Sequence, residues 1–409
     1  MTDGSIGPQQ ALSGIRVLDL SRVLAGPWAT QTLGDLGADI IKVEKPGAGD
    51  DTRGWGPPWL TDEAGERVTS SYYLAPNRNK KSLAIDLACA TGQDLVRALA
   101  AKSDILVENF KAGGLKAYGL DWESLQAINP RLVYCSITGF GQDGPRAHEA
   151  GYDFMIQGMS GMMSVTGPIG GEPYRTGMAM ADVLTGLNAT IAILAALRHA
   201  EKTGEGQQID MALFDVAVAS MINQATGYLV SGEAPGRIGN EHPSITPYQT
   251  FATSDGHLIL AIGNDGQFAR FAREAGMPAL AEDPRFATNA LRTQHRAVLA
   301  PLVQHLLDQR TTAEWMAALS AHAVPCGPIN SLDATFADPQ AQHRGLALSM
   351  PSPHGPIPGV RSPHRLSATP AVEPHAPPMV GEQSRAVLAD VLGLGTDELD
   401  ALMRDGVIG

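Results

Sequence analysis

The chain has 409 residues, of which 44% are hydrophobic and 18% are charged, and its formal net charge is -13. Its length favours two domains, and its composition is that of a globular protein that can bury a sizeable core. The negative charge argues against general affinity for nucleic acids or anionic membranes, so an anionic ligand would need a local cluster of basic residues.

The N-terminal residues 1–14 show neither the apolar core of a signal peptide nor the arginine-rich pattern of a transit peptide, so we expect a cytoplasmic protein. The three cysteines have neither CxxC nor Cys/His spacing. A disulfide framework and a metal site are therefore not expected.

Residues 15–140 predict strands that alternate with helices. Short apolar runs at 15–20 and 40–46 predict two strands, and the segment between them, 28–38, predicts a helix. Further strands are predicted at 81–87, 104–110 and 132–140, and a further helix at 91–102. Such alternation indicates an α/β domain with a parallel sheet.

A long apolar run at 176–197 is interrupted by Asp182, Gly186 and Asn188. These interruptions favour a helix buried inside the protein over a membrane span. We expect the helix to end near 202–207, where a lysine and two glycines form a plausible C-terminal stop.

The rest of the chain predicts a second, smaller domain. Helical apolar spacing at 209–232 predicts a helix that leads out of the first domain, and 247–263 predicts a β-hairpin followed by helices to about residue 322. Beyond residue 345, Pro, Gly and His without periodicity predict an extended surface segment, and 384–407 predicts one final helix.

The opening strand–helix–strand unit invites a nucleotide-binding interpretation. A dinucleotide fingerprint needs GxGxxG between strand and helix, but the segment SRVLAGPWAT contains only Gly26. A conventional NAD site is therefore disfavoured. Glu44, at the end of the second strand, resembles a ribose-binding acid, but a surface salt bridge is the simpler explanation.

The segment NRNKKS, residues 77–82, is the densest basic cluster in this acidic chain. One interpretation is a set of solvated charges that protect a strand edge from pairing. The other is an anchor for phosphate groups, to which Arg22 and Lys45 at neighbouring strand ends would add. The sequence leaves both open.

Asp182 is an isolated carboxylate within the long apolar run. Burying it would cost several kcal/mol unless it is paired or hydrogen-bonded. The string ADVLTGL fits an N-cap aspartate that accepts backbone N–H groups of the next turn. The same helix N-terminus would keep the carboxylate ionised, as a carboxylate nucleophile requires, so the two interpretations are compatible.

Tyr152 follows a glycine and stands near two more, Gly158 and Gly161. The glycines indicate close backbone approach to a ligand, whereas a buried core tyrosine is the plainer alternative. Serine hydrolysis has little support because no GxSxG motif is present.

Several ordered motifs together resemble the class III CoA-transferases, a family that includes formyl-CoA transferase, a carnitine CoA-transferase and the α-methylacyl-CoA racemases. The likeness extends from about residue 12 to the C-terminus. The motifs are LSGIRVLDLSRVLAGPWATQTLGDLGADIIKVEKPGAGDDTRGW, NRNKKSLAIDL, VENF, LVYCSITGFGQDGP, AGYD, the region around Asp182, and VPCGPI.

The resemblance implies an interlocked homodimer in which each chain has a large Rossmann-like domain with a parallel sheet and a smaller α+β domain, joined by two linkers. The implied boundaries are 1–208 for the large domain, completed by 345–409, then 209–232 for a linker helix, 233–330 for the small domain and 331–344 for the return linker.

The resemblance also implies that coenzyme A or acyl-CoA is bound as a substrate, with no permanently bound cofactor and no metal. By motif position, the residues implied to line the CoA site are Arg22, Val23, Ala25, Lys45, Tyr72, Ile85, Asn109, Phe110 and Tyr152.

The family's nucleophilic aspartate falls on Asp182. The implied reaction moves CoA from a donor, which we expect to be succinyl-CoA, to a dicarboxylate such as glutarate, through an aspartyl anhydride and an aspartyl-CoA thioester. Arg175 is a candidate partner for the distal carboxylate, although a surface arginine is an equal alternative. Arg237 and His242 are weaker candidates.

Two departures from family patterns bear on the alternative reactions. Tyr152 stands where the racemase branch has a histidine that exchanges the α-proton, which disfavours an acyl-CoA racemase or epimerase. The segment GRIGNEHPSITPYQTF replaces the glycine-rich loop of formyl-CoA transferase. A formyl- or oxalate-type transferase is therefore also disfavoured. The third alternative, a noncatalytic CoA- or NAD-binding protein, is opposed by the isolated carboxylate of Asp182 and by the missing dinucleotide fingerprint.

Overall fold

The computed structural model describes residues 10–409, which divide into two compact units. The larger unit contains the described residues up to 162 together with 176–229 and 340–409, and the smaller contains 163–175 and 230–339. Most of the N-terminal segment in which no targeting peptide is expected lies outside the described residues.

The strands are short and fall close to the predicted runs. They are β1 (Arg16–Asp19), β2 (Asp39–Glu44), β3 (Trp59–Thr61), β4 (Arg67–Ser70), β5 (Lys80–Ala84), β6 (Ile105–Glu108), β7 (Val133–Thr138), β8 (Gln207–Ala212), β9 (Tyr248–Ala252), β10 (His257–Ala261), β11 (Cys326–Pro328), β12 (Ala347–Met350) and β13 (Ile357–Val360).

The helices range from single turns to one of 24 residues. They are α1 (Ala25–Asp35), α2 (Ser71–Leu74), α3 (Ala90–Ala100), α4 (Trp122–Ile128), α5 (Asp153–Met159), α6 (Met180–Thr203), α7 (Leu213–Ala219), α8 (Ile222–Ser231), α9 (Asp265–Glu274), α10 (Ala279–Glu282), α11 (Asn289–Gln294), α12 (Arg296–Leu307), α13 (Thr312–Ala321), α14 (Leu332–Ala337), α15 (Pro339–His343), α16 (Ser384–Leu392) and α17 (Thr396–Arg404).

A six-stranded parallel sheet in the order β5-β2-β1-β6-β7-β8 forms the centre of the larger unit. Counted in chain order, these strands run third, second, first, fourth, fifth and sixth, which is the order of a doubly wound nucleotide-binding sheet. The expected α/β class with a parallel sheet is confirmed. The chain reverses its direction of travel between β1 and β6, and ligands of such sheets bind beyond the carboxyl ends of those strands.

The sheet is covered on both faces, which explains its continuous apolar strands. On one face Val17 and Ile105 pack with helices α1 and α6, and on the other Leu18 and Leu106 pack with α3 and α16. Because successive strand residues point to opposite faces, Val17 and Leu18 are buried on opposite sides of β1, and both positions must be apolar.

Helix α6 is long and apolar enough to cross a membrane by length and composition, and it is the one such helix among the described residues. Its apolar composition has a packing explanation. Ala189 and Ile193 lie in the core against α1 and the sheet, and Gly186 brings the helix so close to α1 that an added Cβ would lie 2.6 Å from the carbonyl oxygen of Ala25.

The smaller unit contains a three-stranded antiparallel sheet in the order β11-β10-β9. The predicted hairpin at 247–263 is confirmed as β9 and β10. Phe251, Phe268 and Phe271 form its core with Trp315, whose indole N–H donates to the carbonyl oxygen of Leu307 at 2.9 Å.

The C-terminal segment belongs to the larger unit and lies beside the edge strand β5. Ile408 forms a β-bridge with Ile85, and the backbone N–H of Gly409 donates to the carbonyl oxygen of Ala84 at 3.2 Å. The segment also contains a short hairpin, β12 and β13, within the region expected to be extended.

Two secondary-structure predictions are wrong. The helix predicted at 209–232 begins instead as strand β8, which pairs with β7 and completes the large sheet before α7 starts at Leu213. The single helix predicted at 384–407 is two helices, because Gly393 adopts a left-handed conformation, with φ of 73°, that ends α16.

Candidate active site

A cavity of about 520 Å³ opens at the point where the large sheet reverses direction. The loops that follow β1 and β6 form one wall, and the first turn of α6 contributes another. Of the residues predicted from the sequence, the cavity brings together Arg22, Val23, Ala25, Asn109, Phe110, Tyr152 and Asp182.

The loop after β1 is tied to the loop after β6. The backbone N–H of Arg22 donates to Oδ1 of Asn109 at 2.9 Å, and Nδ2 of Asn109 donates back to the carbonyl oxygen of Arg22 at 2.7 Å. Val23 follows in the left-handed region, with φ of 70°, which is unusual for a β-branched residue. The cavity wall is therefore a fixed and locally strained loop.

A buried ion pair between Lys42 and Asp50 fixes the loop after β1 through hydrogen bonds to its backbone. Nζ of Lys42 lies 2.9 Å from Oδ2 of Asp50, both side chains are fully buried, and Nζ also donates to the carbonyl oxygen of Ser21 at 2.8 Å. Asp50 accepts the N–H of Val23 at 3.2 Å. Burial would raise the pKa of Asp50, but the charge and hydrogen bond of Lys42 lower it to about 2.

Asp182 is the third residue of α6 and faces the cavity. Within the described residues it has no ion-pair partner. Burial, with a smaller contribution from the negative charge of Asp153, raises the pKa of the Asp182 carboxyl to about 7. The side chain is therefore a desolvated carboxylate that ionises near neutral pH.

The expectation that Asp182 caps its own helix is wrong. Helix α6 begins two residues earlier, at Met180, and it is Asp153 that occupies the exposed N–H groups. Oδ1 of Asp153 accepts the N–H of Ala181 at 2.8 Å and, more weakly, that of Asp182 at 3.4 Å. The expectation that the helix N-terminus keeps Asp182 ionised is wrong as well, because a carboxyl with a pKa of about 7 is only partly ionised at neutral pH.

Tyr152 is exposed at the mouth of the cavity, with 67% of its surface accessible, so the alternative of a buried core tyrosine is wrong. It is placed there by an unusually close backbone contact. A Cβ added to Gly151 would lie 2.2 Å from Cα of Gly139 in the loop after β7. Glycine is therefore required at both positions for the two loops to meet.

A second cavity of about 360 Å³ adjoins the first. Lys45 and Ile85 line it, and Arg22, Asp51 and Phe110 line both cavities. The Arg22 guanidinium pairs with Asp51 at 2.8 Å and lies 5.7 Å from the centre of the Phe110 ring. The two cavities thus meet at Arg22 and Phe110, an arrangement that suits an elongated ligand.

Tyr72 lines neither cavity but lies close to the first. Its ring packs edge-on against Trp55, a cavity residue, with the ring centres 5.4 Å apart. Burial raises the pKa of the Tyr72 hydroxyl, and the charges of Asp182 and Asp153 raise it further. The structure therefore places Tyr72 within electrostatic range of both acids.

The basic cluster at 77–82 serves the interior of the larger unit. Arg78 forms a buried ion pair with Asp35, and Lys80 forms one with Asp19 at 3.1 Å. Both sequence interpretations are wrong for these two residues, because their charges are neither solvated nor open to a phosphate. Lys81 is half-exposed and pairs with Asp39.

Glu44 forms the salt bridge expected of it, but in the interior and not on the surface. Its carboxylate accepts two hydrogen bonds from Arg53, at 2.7 and 2.8 Å, and one from Ser82 at 2.7 Å. Burial opposes ionisation of Glu44, yet the hydrogen bond from Arg53 and the charges of Lys42 and Arg53 lower its pKa.

The three candidates for a distal carboxylate belong to the smaller unit. Arg175 is exposed. Arg237 donates from Nη2 to the carbonyl oxygen of Gly171 at 2.6 Å, while its buried Nε has no hydrogen-bond partner among the described residues. The His242 ring accepts the N–H of Ser244 and packs against Tyr248, which indicates a structural role.

Sequence reasoning missed Lys42, Asp50 and Asp153 as contributors to this region. Lys42 stands between Ile41 and Val43 in a predicted strand, and a charge between two apolar strand residues is a signal for a buried ion pair. Asp153 contacts a helix that begins 27 residues later, and no local pattern connects them. Among residues 10–409, no group of His, Cys, Asp and Glu is arranged to hold a metal ion.

Comparison with known proteins gives consistent matches over almost the whole chain. The model of CoA-transferase family III matches residues 12–384. A succinate–glutarate CoA-transferase of Agrobacterium fabrum is 51% identical over 381 residues, which are 93% of this chain and 95% of that protein. The succinyl-CoA:glutarate CoA-transferase of Homo sapiens is 42% identical over 403 residues, 97% of this chain and 90% of that protein.

A solved structure matches the fold as closely. The crystal structure of a CAIB/BAIF family protein from Brucella suis has a TM-score of 0.85 and is 49% identical. The match covers 94% of this chain and 100% of that chain.

Proposed function

The chain belongs to CoA-transferase family III, and we propose that it moves CoA from succinyl-CoA to a dicarboxylate such as glutarate. One observation carries the proposal: Asp182 is a desolvated carboxylate without an ion-pair partner, placed in a cavity where the parallel sheet reverses direction. The names of the relatives from Agrobacterium fabrum and Homo sapiens support the choice of donor and acceptor.

In the proposed reaction, the Asp182 carboxylate attacks the thioester carbonyl of the donor. The carbon–sulfur bond breaks, the CoA thiolate leaves, and an aspartyl anhydride forms. The thiolate then attacks the Asp182 carbonyl, which releases the donor acid as a carboxylate and leaves an aspartyl-CoA thioester. Both intermediates are activated acyl groups, so the free energy of the thioester is retained without ATP.

The second half of the reaction reverses these steps with the acceptor. The acceptor carboxylate attacks the aspartyl-CoA thioester, which gives a second anhydride and releases the thiolate. The thiolate attacks the acceptor carbonyl of that anhydride. The products are acceptor acyl-CoA and the original Asp182 carboxylate, so no proton or electron is gained or lost overall.

The raised pKa of Asp182 suits the attacking role, because a more basic carboxylate is a better nucleophile once it is ionised. Each attack creates a tetrahedral oxyanion. We assign its stabilisation to backbone N–H groups of the glycine-containing loops at the cavity, where Gly139 and Gly151 allow close approach.

We propose that CoA occupies both cavities. The thioester end lies in the first cavity beside Asp182, and the phosphate-bearing end lies in the second, where Lys45 supplies positive charge. Arg22, Asn109 and Phe110 lie where the chain of the pantetheine would pass from one cavity to the other.

Arg175 is proposed to bind the distal carboxylate of the acceptor, which a guanidinium can grip through two hydrogen bonds. Arg175→Ala should raise the KM for glutarate at least tenfold, while the KM for a monocarboxylate acceptor of the same chain length should stay within twofold. Equal KM changes for both acids would remove Arg175 from the site. Arg237→Ala is the comparison variant, because Arg237 is the weaker candidate for the same carboxylate and its Nη2 donates to the carbonyl oxygen of Gly171.

We propose that the enzyme is a cytoplasmic homodimer, interlocked as the family resemblance implies. Apolar side chains exposed on helices of the larger unit support a second copy as their cover. They include Phe154 and Met155 on α5, Ile191 on α6, and Ile222 and Leu229 on α8, with accessible fractions from 47% to 80%. Sedimentation of the whole chain tests this, and a monomer at micromolar concentration would contradict it.

The racemase alternative needs a base that removes the α-proton, and no histidine lines the first cavity in the described part of the chain. Incubation in heavy water distinguishes the two reactions. A transferase should leave the α-carbon unlabelled while CoA moves between acids, whereas deuterium at the α-carbon would favour a racemase.

The deciding experiment incubates the enzyme with succinyl-CoA and a panel of acids and identifies the CoA esters by mass spectrometry. Glutaryl-CoA and free succinate should form together, and Asp182→Asn should lower the rate at least 10³-fold. Asp397→Asn is the matched control, since Asp397 also lies in the first turn of a helix but outside the cavity. Full activity of Asp182→Asn would end the proposal.

A further inference from the structure

Helix α6 carries the proposed nucleophile on its first turn. The N–H groups of that turn have no partner within the helix, and another acid, Asp153, accepts two of them. Oδ1 of Asp153 accepts the N–H of Ala181 at 2.8 Å and that of Asp182 at 3.4 Å. A carboxylate that receives such N–H groups is stabilised in its charged form. Oδ1 of Asp153 accepts these N–H groups, and the Asp182 carboxylate does not.

Asp153 is itself fixed by a buried amide. Nε2 of Gln157, a fully buried residue one turn along α5, donates to Oδ2 of Asp153 at 2.8 Å. Oε1 of the same amide accepts the N–H of Thr176 at 3.0 Å. Gln157 therefore joins the acid on α5 to the segment that leads into α6.

We propose that Asp153 is a positioning residue for the nucleophile: by occupying the first N–H groups of α6 with its own carboxylate, it leaves the Asp182 carboxylate unbonded and facing the cavity. The role of Asp182 in this inference rests on the proposed function. The geometry of Asp153 does not depend on it.

The consequence for ionisation follows from two effects that act in the same direction. Burial is the larger cause of the raised pKa of Asp182, and the negative charge of Asp153 is the second. A carboxylate with a raised pKa is a stronger nucleophile when ionised. The charge of Asp153 therefore lowers the ionised fraction of Asp182 at acidic pH and raises the reactivity of the ionised form at neutral pH.

Other charged groups lie near α6 or line the cavity, but the pKa of Asp182 responds to burial and to Asp153. Tyr72 is the further titratable group whose own pKa responds to Asp182. Further charged or titratable groups at the cavity are Arg22, which pairs with Asp51, together with Lys111, Tyr152 and Glu149, which pairs with Arg146. The elements packed against α6 add Asp35 on α1, which pairs with Arg78, Cys135 on β7, Asp210 on β8 and Asp215 on α7.

The test measures the ionisation of Asp182 without any substrate. Protein labelled with ¹³C at the aspartate carboxyl carbon is titrated by NMR, and the Asp182 signal is assigned by its loss in Asp182→Asn. The wild type should titrate near pH 7. In Asp153→Asn, an amide oxygen can still accept the N–H of Ala181 but the negative charge is gone, so the Asp182 pKa should move down.

Asp153→Ala removes both the charge and the cap, so the Asp182 pKa should fall further, because the Asp182 side chain can rotate to accept the freed N–H groups. Thr311→Ala is the control, since it removes the N-cap of α13 and none of the cavity. It should lower stability and leave the Asp182 pKa unchanged. An Asp182 pKa equal to that of the wild type in both Asp153 variants would overturn the inference.

The rate of CoA transfer gives a second reading. In Asp153→Asn, the acid limb of the kcat profile should move to lower pH, and kcat at pH 8 should fall several-fold. A fall in kcat with an unmoved acid limb would assign Asp153 a structural role alone. If the wild type transfers no CoA between acids but the NMR shift is present, the proposed function fails and the effect of Asp153 on Asp182 stands.

Discussion

Arg22 and Asn109 are joined by two reciprocal hydrogen bonds, one from the backbone N–H of Arg22 to Oδ1 of Asn109 and one from Nδ2 of Asn109 to the carbonyl oxygen of Arg22. One side-chain amide thereby joins two loops with a pair of hydrogen bonds like the pair that joins two residues of neighbouring strands. The loops follow β1 and β6, the neighbouring strands at which the sheet reverses direction. Their separation sets the width of the opening that we assign to CoA.

Asn109→Ala should loosen this opening. Two hydrogen bonds, each contributing about 1 kcal/mol, are lost, and the KM for succinyl-CoA should rise about tenfold or more. Asn129→Ala is the matched control, because Nδ2 of Asn129 also donates to two carbonyl oxygens, those of Ala100 and Ser103, away from both cavities. It should cost similar stability in urea and leave the KM unchanged. Equal KM values in the two variants would contradict the assignment.

Asp182→Asn should stabilise the folded protein at neutral and higher pH. The pKa of Asp182 is about 7 in the fold against an ordinary value of 3.8, so between these pH values the folded chain holds a proton that the unfolded chain has lost. Stability from this group is full below pH 3.8 and is lost as the pH rises through 7. One pKa unit corresponds to about 1.4 kcal/mol, so the total penalty is on the order of a few kcal/mol.

The measurement is the free energy of unfolding in urea at pH values from 5 to 8, at one protein concentration. The difference between Asp182→Asn and the wild type should grow with pH and level off above 7. Asp397→Asn should follow the wild type throughout. A constant difference across this range would mean that Asp182 ionises as an ordinary carboxylate.

Gly151→Ala should be among the most damaging single substitutions in the cavity. The added Cβ would lie 2.2 Å from Cα of Gly139, and backbone atoms on both sides leave no flexible side chain that could yield. Overpacking of this kind costs about 1–3 kcal/mol or more, and it would displace Tyr152 at the cavity mouth. Gly177→Ala, which meets no atom within 4 Å, is the control.

Both glycine variants are compared by urea unfolding and by kcat for CoA transfer. Gly151→Ala should lose stability and at least tenfold in kcat, while Gly177→Ala should stay near the wild type in both. Wild-type activity in Gly151→Ala would show that the contact between the two loops is not needed for the reaction.

The parallel sheet could be predicted because its inner strands are apolar on both faces. Val17 and Leu18 point to opposite sides of β1, and each enters a different half of the core. Strand β8 could not be predicted in this way. It lies at the edge of the sheet, half of its sequence QQIDMA is polar, and its pairing with β7 decides that it is a strand.

The candidate site shows the same division between local and distant effects. The residues of the loops after β1 and β6 could be named from motifs, and the sheet order then brings them together. The residue that caps α6 could not be named in this way. The local string ADVLTGL fits Asp182 as the cap, whereas the acid that accepts the N–H of Ala181 is Asp153, far back in the sequence. Lys42 was missed although its signal is local: it is a charged residue between the apolar residues Ile41 and Val43.

Val23→Gly should stabilise the protein, although a valine-to-glycine change is ordinarily destabilising. Val23 has φ of 70°, and holding a β-branched residue there costs about 1–3 kcal/mol, which glycine avoids. The entropy of the unfolded chain offsets about 0.5–1 kcal/mol of that gain. Val298→Gly, at an exposed position on helix α12, is the control and should lose stability.

The strain at Val23 persists because hydrogen bonds fix the surrounding loop, and the contribution of one of these bonds can be measured. Asp50 accepts the N–H of Val23 and is itself paired with Lys42. If that contact holds Val23 in the left-handed region, Asp50→Asn should weaken it and let the valine relax, so the gain from Val23→Gly should be smaller in the Asp50→Asn background. Urea unfolding of the two single variants and the double variant measures this coupling. Additive effects would show that Val23 is held in the left-handed region by other contacts than the one to Asp50.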